Sequence, residues 1–248
     1  MDNRVLAIEK SELPVNGTNP IQAMFNAVAP RYDLLNRLLS IGYDRHWRKE
    51  AVREFESVEN KKYLDVATGT ADIALEIAKR HPKPSQIVGM DFSISMLKLG
   101  HKKISTNHFG KGIKLIPGAA ENIPLKDHTF DGAITAFGVR NFLDAKQGLR
   151  EMYRILKPNG KIVVLEFSFP KKGLLNRLYR LYFEKILPLL GRIISGHKSA
   201  YSYLPASVAN FPQGEAFNEI LECSGFKSVS FKPLTLGIVT LYTGIKNA

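Results

Sequence analysis

The sequence predicts an α/β fold: a mostly parallel seven-stranded sheet with helices on both faces, closed by an antiparallel hairpin at the C-terminal end. Three observations predict it. From residue 62 onward, short β-prone apolar runs alternate with helix-period segments, the rhythm of successive βαβ units. The central strands are apolar almost continuously, as a sheet covered on both faces requires. The final two strands are separated only by a Leu-Gly turn, which forces them antiparallel.

Each element has a local reason. Asp2 to Pro20 is polar and punctuated and reads as an arm. Ile21 to Leu39 has helical spacing at Met24, Val28, Tyr32, Leu35, Leu38 and Leu39, with Pro30 dividing it into two pieces. A basic helix follows from Tyr43 to Glu54 and holds the only tryptophan, Trp47. The first core strand is Lys62–Ala67. It stops in small residues, Ala67-Thr68-Gly69-Thr70-Ala71, before a helix from Asp72 to Arg80. The turn His81-Pro82-Lys83-Pro84 leads to strand Gln86–Asp91, then a helix Ser93–Ile104 with Ser93 as N-cap. Strands Ile113–Gly118 and Phe130–Phe137 come next. Helix Leu143–Leu156 is predicted to end at the turn Lys157-Pro158-Asn159-Gly160, before strand Lys161–Phe167. The last elements are helix Gly214–Ser224 and strands Lys227–Pro233 and Ile238–Ile245. A mainly parallel sheet with a single C-terminal hairpin is the arrangement of the class I S-adenosylmethionine-dependent methyltransferase (Rossmann-like) fold.

Composition narrows the setting. With 248 residues, 44% hydrophobic, the chain can bury a substantial core. The single cysteine, Cys223, allows no intramolecular disulfide and is read as a small apolar residue on a helix; no cluster has metal-ligand spacing. The charged first residues carry no secretory pattern, and no apolar run approaches the roughly 20 residues of a membrane span, so a cytoplasmic protein is expected. The net charge of +12 calls for an anionic partner, nucleic acid or anionic lipid, or else a solvated basic surface.

In a doubly wound sheet, ligands bind outside the carboxyl ends of the strands. The turn after the first strand has one glycine, Gly69, where a dinucleotide fingerprint wants three, and no phosphate-cradling lysine. Asp65 at the strand end suits a cationic or hydroxyl-bearing ligand rather than a pyrophosphate, and S-adenosylmethionine meets that description. Asp91 ends the second strand and is placed to accept from ribose hydroxyls. Ala119 and Ala120 follow the third strand and leave room for an adenine edge. The fourth strand runs into A-F-G-V-R-N, residues 136–141.

Over essentially its whole length the chain resembles the ubiquinone/menaquinone biosynthesis C-methyltransferases, the UbiE/MenG family. The resemblance rests on M-F-N-A-V-A-P-R-Y-D-L-L-N at Met24–Asn36, L-D-V-A-T-G-T-A-D at Leu64–Asp72 and A-F-G-V-R-N-F at Ala136–Phe142. It extends to Met152–Gly160, Val164–Ser168 and Y-S-Y-L-P at Tyr201–Pro205. The Leu64–Asp72 motif is common to many methyltransferases. Tyr32-Asp33, Gly138–Asn141 and Val164–Ser168 mark the family. The resemblance implies a single methyltransferase domain, with an N-terminal arm and helices at 1–60 and a cofactor core at 61–170. A basic lid at 171–212 and a C-terminal helix and hairpin at 213–248 complete it.

The resemblance further implies that S-adenosylmethionine meets Asp65, Gly69, Thr70, Asp91, Ala119 and Ala120. It places Arg140, Asn141 and Tyr32 near the hydroxyl of a prenylated quinol resident in the membrane. Three positions depart from the family pattern. Ala71 replaces a second glycine, and Ala119 and Ala136 replace polar residues, so contacts at the latter two are limited to the backbone. Alkylating a ring carbon needs an electron-rich ring, hence the quinol and not the quinone. Arginine stays protonated, so Arg140 is read as holding the phenolate and not as the base. A salt bridge from Arg140 to Asp144 or Glu166 is the plainer alternative. His46, His128 and His197 are read as surface residues. Tyr201–Pro205, with Ser207-Val208 and Phe211-Pro212, resembles the menaquinone branch, which favours demethylmenaquinol; a benzoquinol substrate stays open. The proline-and-aromatic catalytic motif of many RNA methyltransferases is not found at the fourth strand, so nucleic acid is not expected as a partner. Homo-oligomers are compatible with the sequence.

Seven Lys/Arg and one acid, Glu184, fall between Lys171 and Lys198, interleaved with Leu, Ile, Tyr and Phe and interrupted by Pro188. Such a basic amphipathic stretch suits peripheral contact with anionic lipid on the inner face of the membrane, a buried helix with a basic outer face, or RNA.

Overall fold

The computed structural model describes residues 20–55, 60–80, 86–170, 173–183 and 198–248. The N-terminal arm, the turn at 81–84, Pro188, His197 and most of the basic stretch lie outside the described residues.

In chain order the elements are α1 (Pro20–Val28), α2 (Tyr32–Leu39), α3 (Asp44–Arg53), β1 (Lys62–Val66), α4 (Asp72–Arg80), β2 (Gln86–Asp91), α5 (Ile94–Ser105) and β3 (Ile113–Pro117). They continue with β4 (Phe130–Ala136), α6 (Ala145–Ile155), β5 (Leu156–Phe167), α7 (Leu174–Leu181), α8 (Lys198–Asn210), α9 (Glu215–Cys223), β6 (Lys227–Leu234) and β7 (Val239–Ile245). One sheet holds all seven strands in the order β3-β2-β1-β4-β5-β7-β6. Only β7 opposes its neighbours, pairing antiparallel with both β5 and β6. The expected class I fold is therefore present, C-terminal hairpin included.

The strand period of two splits the core. On β1, Leu64 and Val66 pack with Leu149, Met152 and Phe217 on one face, whereas Tyr63 packs with Trp47, Val52 and Ile77 on the other. Pro30 sits in a short 3₁₀ turn, Ala29–Arg31, that separates α1 from α2 as the sequence predicts. Ser93 does cap α5, its hydroxyl accepting from Met96 N at 3.2 Å. Asp144 caps α6 in the same way, accepting from Gln147 N at 3.0 Å, so that helix starts two residues later than the pattern suggested.

Two expectations are corrected. Lys157–Gly160 is not a turn between α6 and a later strand. β5 already begins at Leu156, opposite Phe130, and the four residues bulge from it before pairing resumes at Lys161. Asn159 takes the left-handed conformation there (φ 62°) and its N–H donates to Lys246 O at 2.9 Å, so strand-like bonding absorbs the stop signal. Cys223 is exposed at the end of α9 and is not a packed apolar residue.

At Gly132, on β4, an added Cβ would lie 2.6 Å from Phe55 Cε1 and 2.9 Å from Tyr63 Cδ1, two rings packed 4.7 Å apart. Buried rings cannot yield as a flexible chain end can. Gly132→Ala is therefore expected to lower the unfolding free energy by about 1–3 kcal/mol, read as a fall in the urea midpoint at unchanged slope.

Candidate active site

The turn after β1 bends through left-handed backbone at Ala67 (φ 57°), Gly69 (φ 55°) and Ala71 (φ 68°). Small side chains make that path sterically cheap. It is tied to β2 at two points: Thr68 N donates to Met90 O at 2.9 Å, and Gly69 N donates to Asp91 Oδ2 at 2.8 Å. The other Asp91 oxygen accepts from Ser93 N at 2.8 Å. Each carboxylate oxygen keeps further acceptor capacity. Burial pushes the Asp91 carboxyl upward, opposed by these two N–H donors.

Beside the turn is a cavity of about 310 Å³, walled by Gly69, Asp91, Ala119, Ala120, Phe137 and Asn141 and covered by Gln22, Phe25 and Tyr32. Its lining includes two carboxylates, Asp91 and Glu121, and, among the described residues, no Lys or Arg. Such a wall repels a phosphate and accepts a cation or a hydroxyl. Those donor and acceptor properties fit S-adenosylmethionine, a cationic nucleoside without phosphate.

Of the six residues expected around the cofactor, Gly69, Asp91, Ala119 and Ala120 line this cavity, while Asp65 and Thr70 do not. Asp65 lies beneath the turn, 1% exposed, and accepts from Thr68 Oγ1 at 2.5 Å. Thr70 faces the other way, its Oγ1 donating to Asp33 Oδ1 at 2.6 Å and accepting from Lys103 Nζ at 2.8 Å. Lys103 also reaches Asp33 and Asp72, each at 2.6 Å. Thr70 therefore helps fasten α2 over the turn. Gln22 Nε2 to Phe92 O (2.5 Å) and Ser93 Oγ to Asn26 Oδ1 (2.7 Å) fasten α1 over β2. The N-terminal helices thus form the roof of the cavity.

A second cavity, of about 370 Å³, adjoins the first, with Phe25, Tyr32 and Phe137 lining both. Its walls are mostly apolar and aromatic: Val28, Trp47, Phe167, Tyr179, Tyr182 and Phe183. Among its few polar residues are Arg140, Tyr203 and Asn36. α7 therefore presents aromatic residues inward, while Arg177 and Arg180 are exposed.

Arg140 forms the ion pair with Glu166, Nη1 to Oε1 at 2.6 Å, and Nη1 also donates to Phe137 O at 2.5 Å. Glu166 is fully buried and takes the Phe167 N–H at 2.9 Å. Burial raises its carboxyl, and the Arg140 charge opposes the rise. The salt bridge weighed from the sequence is thus present, yet it leaves Arg140 Nε buried with no hydrogen-bond partner. Asn141 Nδ2 donates to Phe137 O at 3.3 Å, and its Oδ1 accepts from Tyr203 OH at 2.9 Å. Tyr32 is hydrogen-bonded to Asn36, and burial pushes its phenol upward, as it does for Tyr203. The structure thus brings Arg140, Asn141 and Tyr32 together around the wall between the cavities. Sequence reasoning assigned no role to Tyr203 or Asn36, although both lie inside quoted motifs. Chain distance concealed the first, since Tyr203 and Asn141 are 62 positions apart.

The ubiE/COQ5 methyltransferase family model matches residues 13–246. The chain belongs to this family. It is 49% identical over 226 residues to the ubiquinone/menaquinone biosynthesis C-methyltransferase UbiE of Geotalea daltonii, covering 91% of this chain and 96% of that one. It is 44% identical to the demethylmenaquinone methyltransferase of Deinococcus radiodurans, with 91% and 92% covered. Among solved structures, a SAM-dependent methyltransferase from Thermotoga maritima superposes with a TM-score of 0.64 at 20% identity, over 91% of this chain and 99% of that one, which supports the fold. Members of this family are S-adenosylmethionine-dependent C-methyltransferases, and this chain is one of them.

Burial pushes the Asp65 carboxyl up to about 7, above its value of about 3.9 in the unfolded chain. The native state then binds the proton more tightly, so this group's contribution to stability is present at low pH and lost as pH rises through 7. Asp65→Asn cannot titrate. In thermal melts at pH 5 and pH 8, the wild type is expected to lose more stability than Asp65→Asn over that interval; parallel losses would contradict the assignment.

Proposed function

We propose that this enzyme methylates a ring carbon of a prenylated quinol, converting demethylmenaquinol to menaquinol. The observation that carries this reading is Arg140, on the wall of an aromatic-lined cavity adjoining the cofactor-type cavity, with a buried Nε–H that has no partner among the described residues. A buried donor without a partner is costly unless a ligand supplies the acceptor. A quinol oxygen would be that acceptor, with the ring among Phe25, Phe137 and Phe167 and the prenyl chain along the remaining apolar wall.

Gly69, Asp91, Ala119 and Ala120 would hold S-adenosylmethionine, which would supply the electrophilic methyl group. The protein's own residues make the ring nucleophilic. Arg140 stabilises the phenolate that builds electron density on the neighbouring carbon, and Glu166 keeps the guanidinium aimed. Asn141, oriented by Tyr203, positions the hydroxyl. Burial raises the Tyr32 phenol, so it stays protonated and acts as a relay, taking the quinol hydroxyl proton as its own O–H proton passes to water. Holding both partners across a shared aromatic wall supplies the orientation on which carbon alkylation depends.

The menaquinone assignment is supported by the demethylmenaquinone methyltransferase names of the Deinococcus radiodurans and Thermus thermophilus relatives, each 44% identical. Names that join ubiquinone and menaquinone among the relatives keep 2-methoxy-6-polyprenyl-1,4-benzoquinol as the alternative. An equimolar competition between the two reduced substrates, with labelled S-adenosylmethionine, decides between them. Label is expected mainly in menaquinol, and label in the benzoquinol product alone would overturn the assignment.

Two substitutions separate the roles. Arg140→Lys keeps a positive charge beside Glu166 but forfeits Nε; kcat is expected to fall about 100-fold, with cofactor affinity, by calorimetry, unchanged. Asp91→Ala is expected to weaken cofactor binding by about 10–100-fold.

A further inference from the structure

Two turns project from the molecule beside the apolar cavity. The first joins α2 to α3. Ile41 there is 80% exposed in a left-handed conformation (φ 52°), and Tyr43 is 52% exposed. Both also line the cavity, so they stand at its rim. The second turn joins β6 to β7, where Leu236 is 74% exposed at φ 59°, between Thr235 and Gly237, which also have positive φ. Trp47 Nε1 donates to Thr235 Oγ1 at 2.7 Å, across 188 positions, and so ties α3, which follows the first turn, to the second. Leu181, 55% exposed, ends α7, where Tyr179 and the adjacent Tyr182 and Phe183 line the same cavity. A β-branched residue in left-handed backbone is costly. Holding Ile41 there, with its side chain in solvent, serves no packing purpose within the fold.

Next to this rim the surface is basic. Between residues 37 and 49 there are four Lys/Arg and one acid, Asp44, and buried Asp44 is taken by Arg48. Arg37, Arg45 and Lys49 are exposed and make no salt bridge among the described residues. With Arg48, Lys79 and Lys103, and with the acids Asp72 and Glu76, they line a surface groove bordered by α2, α3, α4 and α5, in which the cations outnumber the acids.

We propose that this rim is a docking face for an anionic bilayer. Ile41, Tyr43, Leu181 and Leu236 enter the headgroup–acyl boundary, while Arg37, Arg45 and Lys49 meet lipid phosphates. Apolar tips beside exposed cations match such a surface in both its layers. The inference rests on the prenylated-quinol reading in one respect: docking here opens the apolar cavity onto the acyl phase, so a ring can enter while its tail stays in lipid. It adds two turns to the membrane contact expected of the Lys171–Lys198 stretch, to which Leu181 belongs.

The test compares the full chain with Leu236→Asp and with the double variant Arg45→Glu/Lys49→Glu. Asp tolerates φ near 60° better than Leu, so the first change leaves the turn intact. None of the three residues lines either enzyme cavity. Cosedimentation is measured with phosphatidylglycerol/phosphatidylethanolamine vesicles and with phosphatidylcholine vesicles. Turnover is measured with a tailless water-soluble quinol and with a long-tailed quinol embedded in the vesicles. The wild type is expected to prefer the anionic vesicles. Each variant is expected to bind them about tenfold more weakly, the double variant showing its defect mainly at low salt. Turnover of the embedded quinol should fall in parallel, and that of the tailless quinol should not. Wild-type vesicle binding in both variants overturns the proposal. So does self-association that depends on Leu236 without vesicle binding, which would make the face an interface between copies. If the wild type methylates neither quinol, the functional reading fails, and the vesicle measurements still decide the docking face.

Discussion

One backbone carbonyl organises the wall between the two cavities. The oxygen of Phe137 receives Arg140 Nη1 at 2.5 Å and Asn141 Nδ2 at 3.3 Å, which fixes both side chains against the wall that divides the two cavities. Phe137 can do so because its own backbone is in the left-handed region (φ 58°), turning the chain sharply at the end of β4, while its N–H stays tied to Leu165 O at 2.7 Å. Strain of this kind persists only where the surroundings overdetermine it. Here they do: the Phe137 ring is packed against Trp47 and Phe167, and Glu166 grips Arg140 from the neighbouring strand. Gly138 follows without a side chain, since a Cβ there would come within 2.7 Å of Ala67 Cβ in the opposing turn.

Charge is distributed to match. The first cavity is lined by carboxylates and, among the described residues, by no cation, while Arg48 is held by Asp44, and Lys103 by Asp33 and Asp72. Of those ion pairs, Lys103–Asp33 ties α2 of the roof to α5. Arg140, on the wall of the second cavity, is paired with Glu166, so its guanidinium lies in an apolar setting without an uncompensated charge, and its Nε has no partner among the described residues.

The sheet and its hairpin were legible because strand period, small-residue turns and the short final loop are local signals. The strand-end residues Gly69, Asp91, Ala119 and Ala120 were legible for the same reason, since topology sends every parallel strand end to one edge. Asp65 and Thr70 were harder. They share that turn, but the direction of each side chain depends on which residues adopt positive φ, and sequence spacing does not reveal it. The bonding of Tyr203 to Asn141 and of Trp47 to Thr235 joins distant segments and has no sequence signature. Lys157–Gly160 shows the converse: a strong local stop signal was overridden because β5 and β7 could accommodate it as a bulge.

The central claim is that Arg140 holds an oxygen which exists as a phenolate only in the reduced ring. Single-turnover transfer of labelled methyl to demethylmenaquinol, set beside the same measurement with demethylmenaquinone kept oxidised, tests it most directly. The account predicts rapid labelling of the quinol and none of the quinone. Equal labelling of both would contradict it.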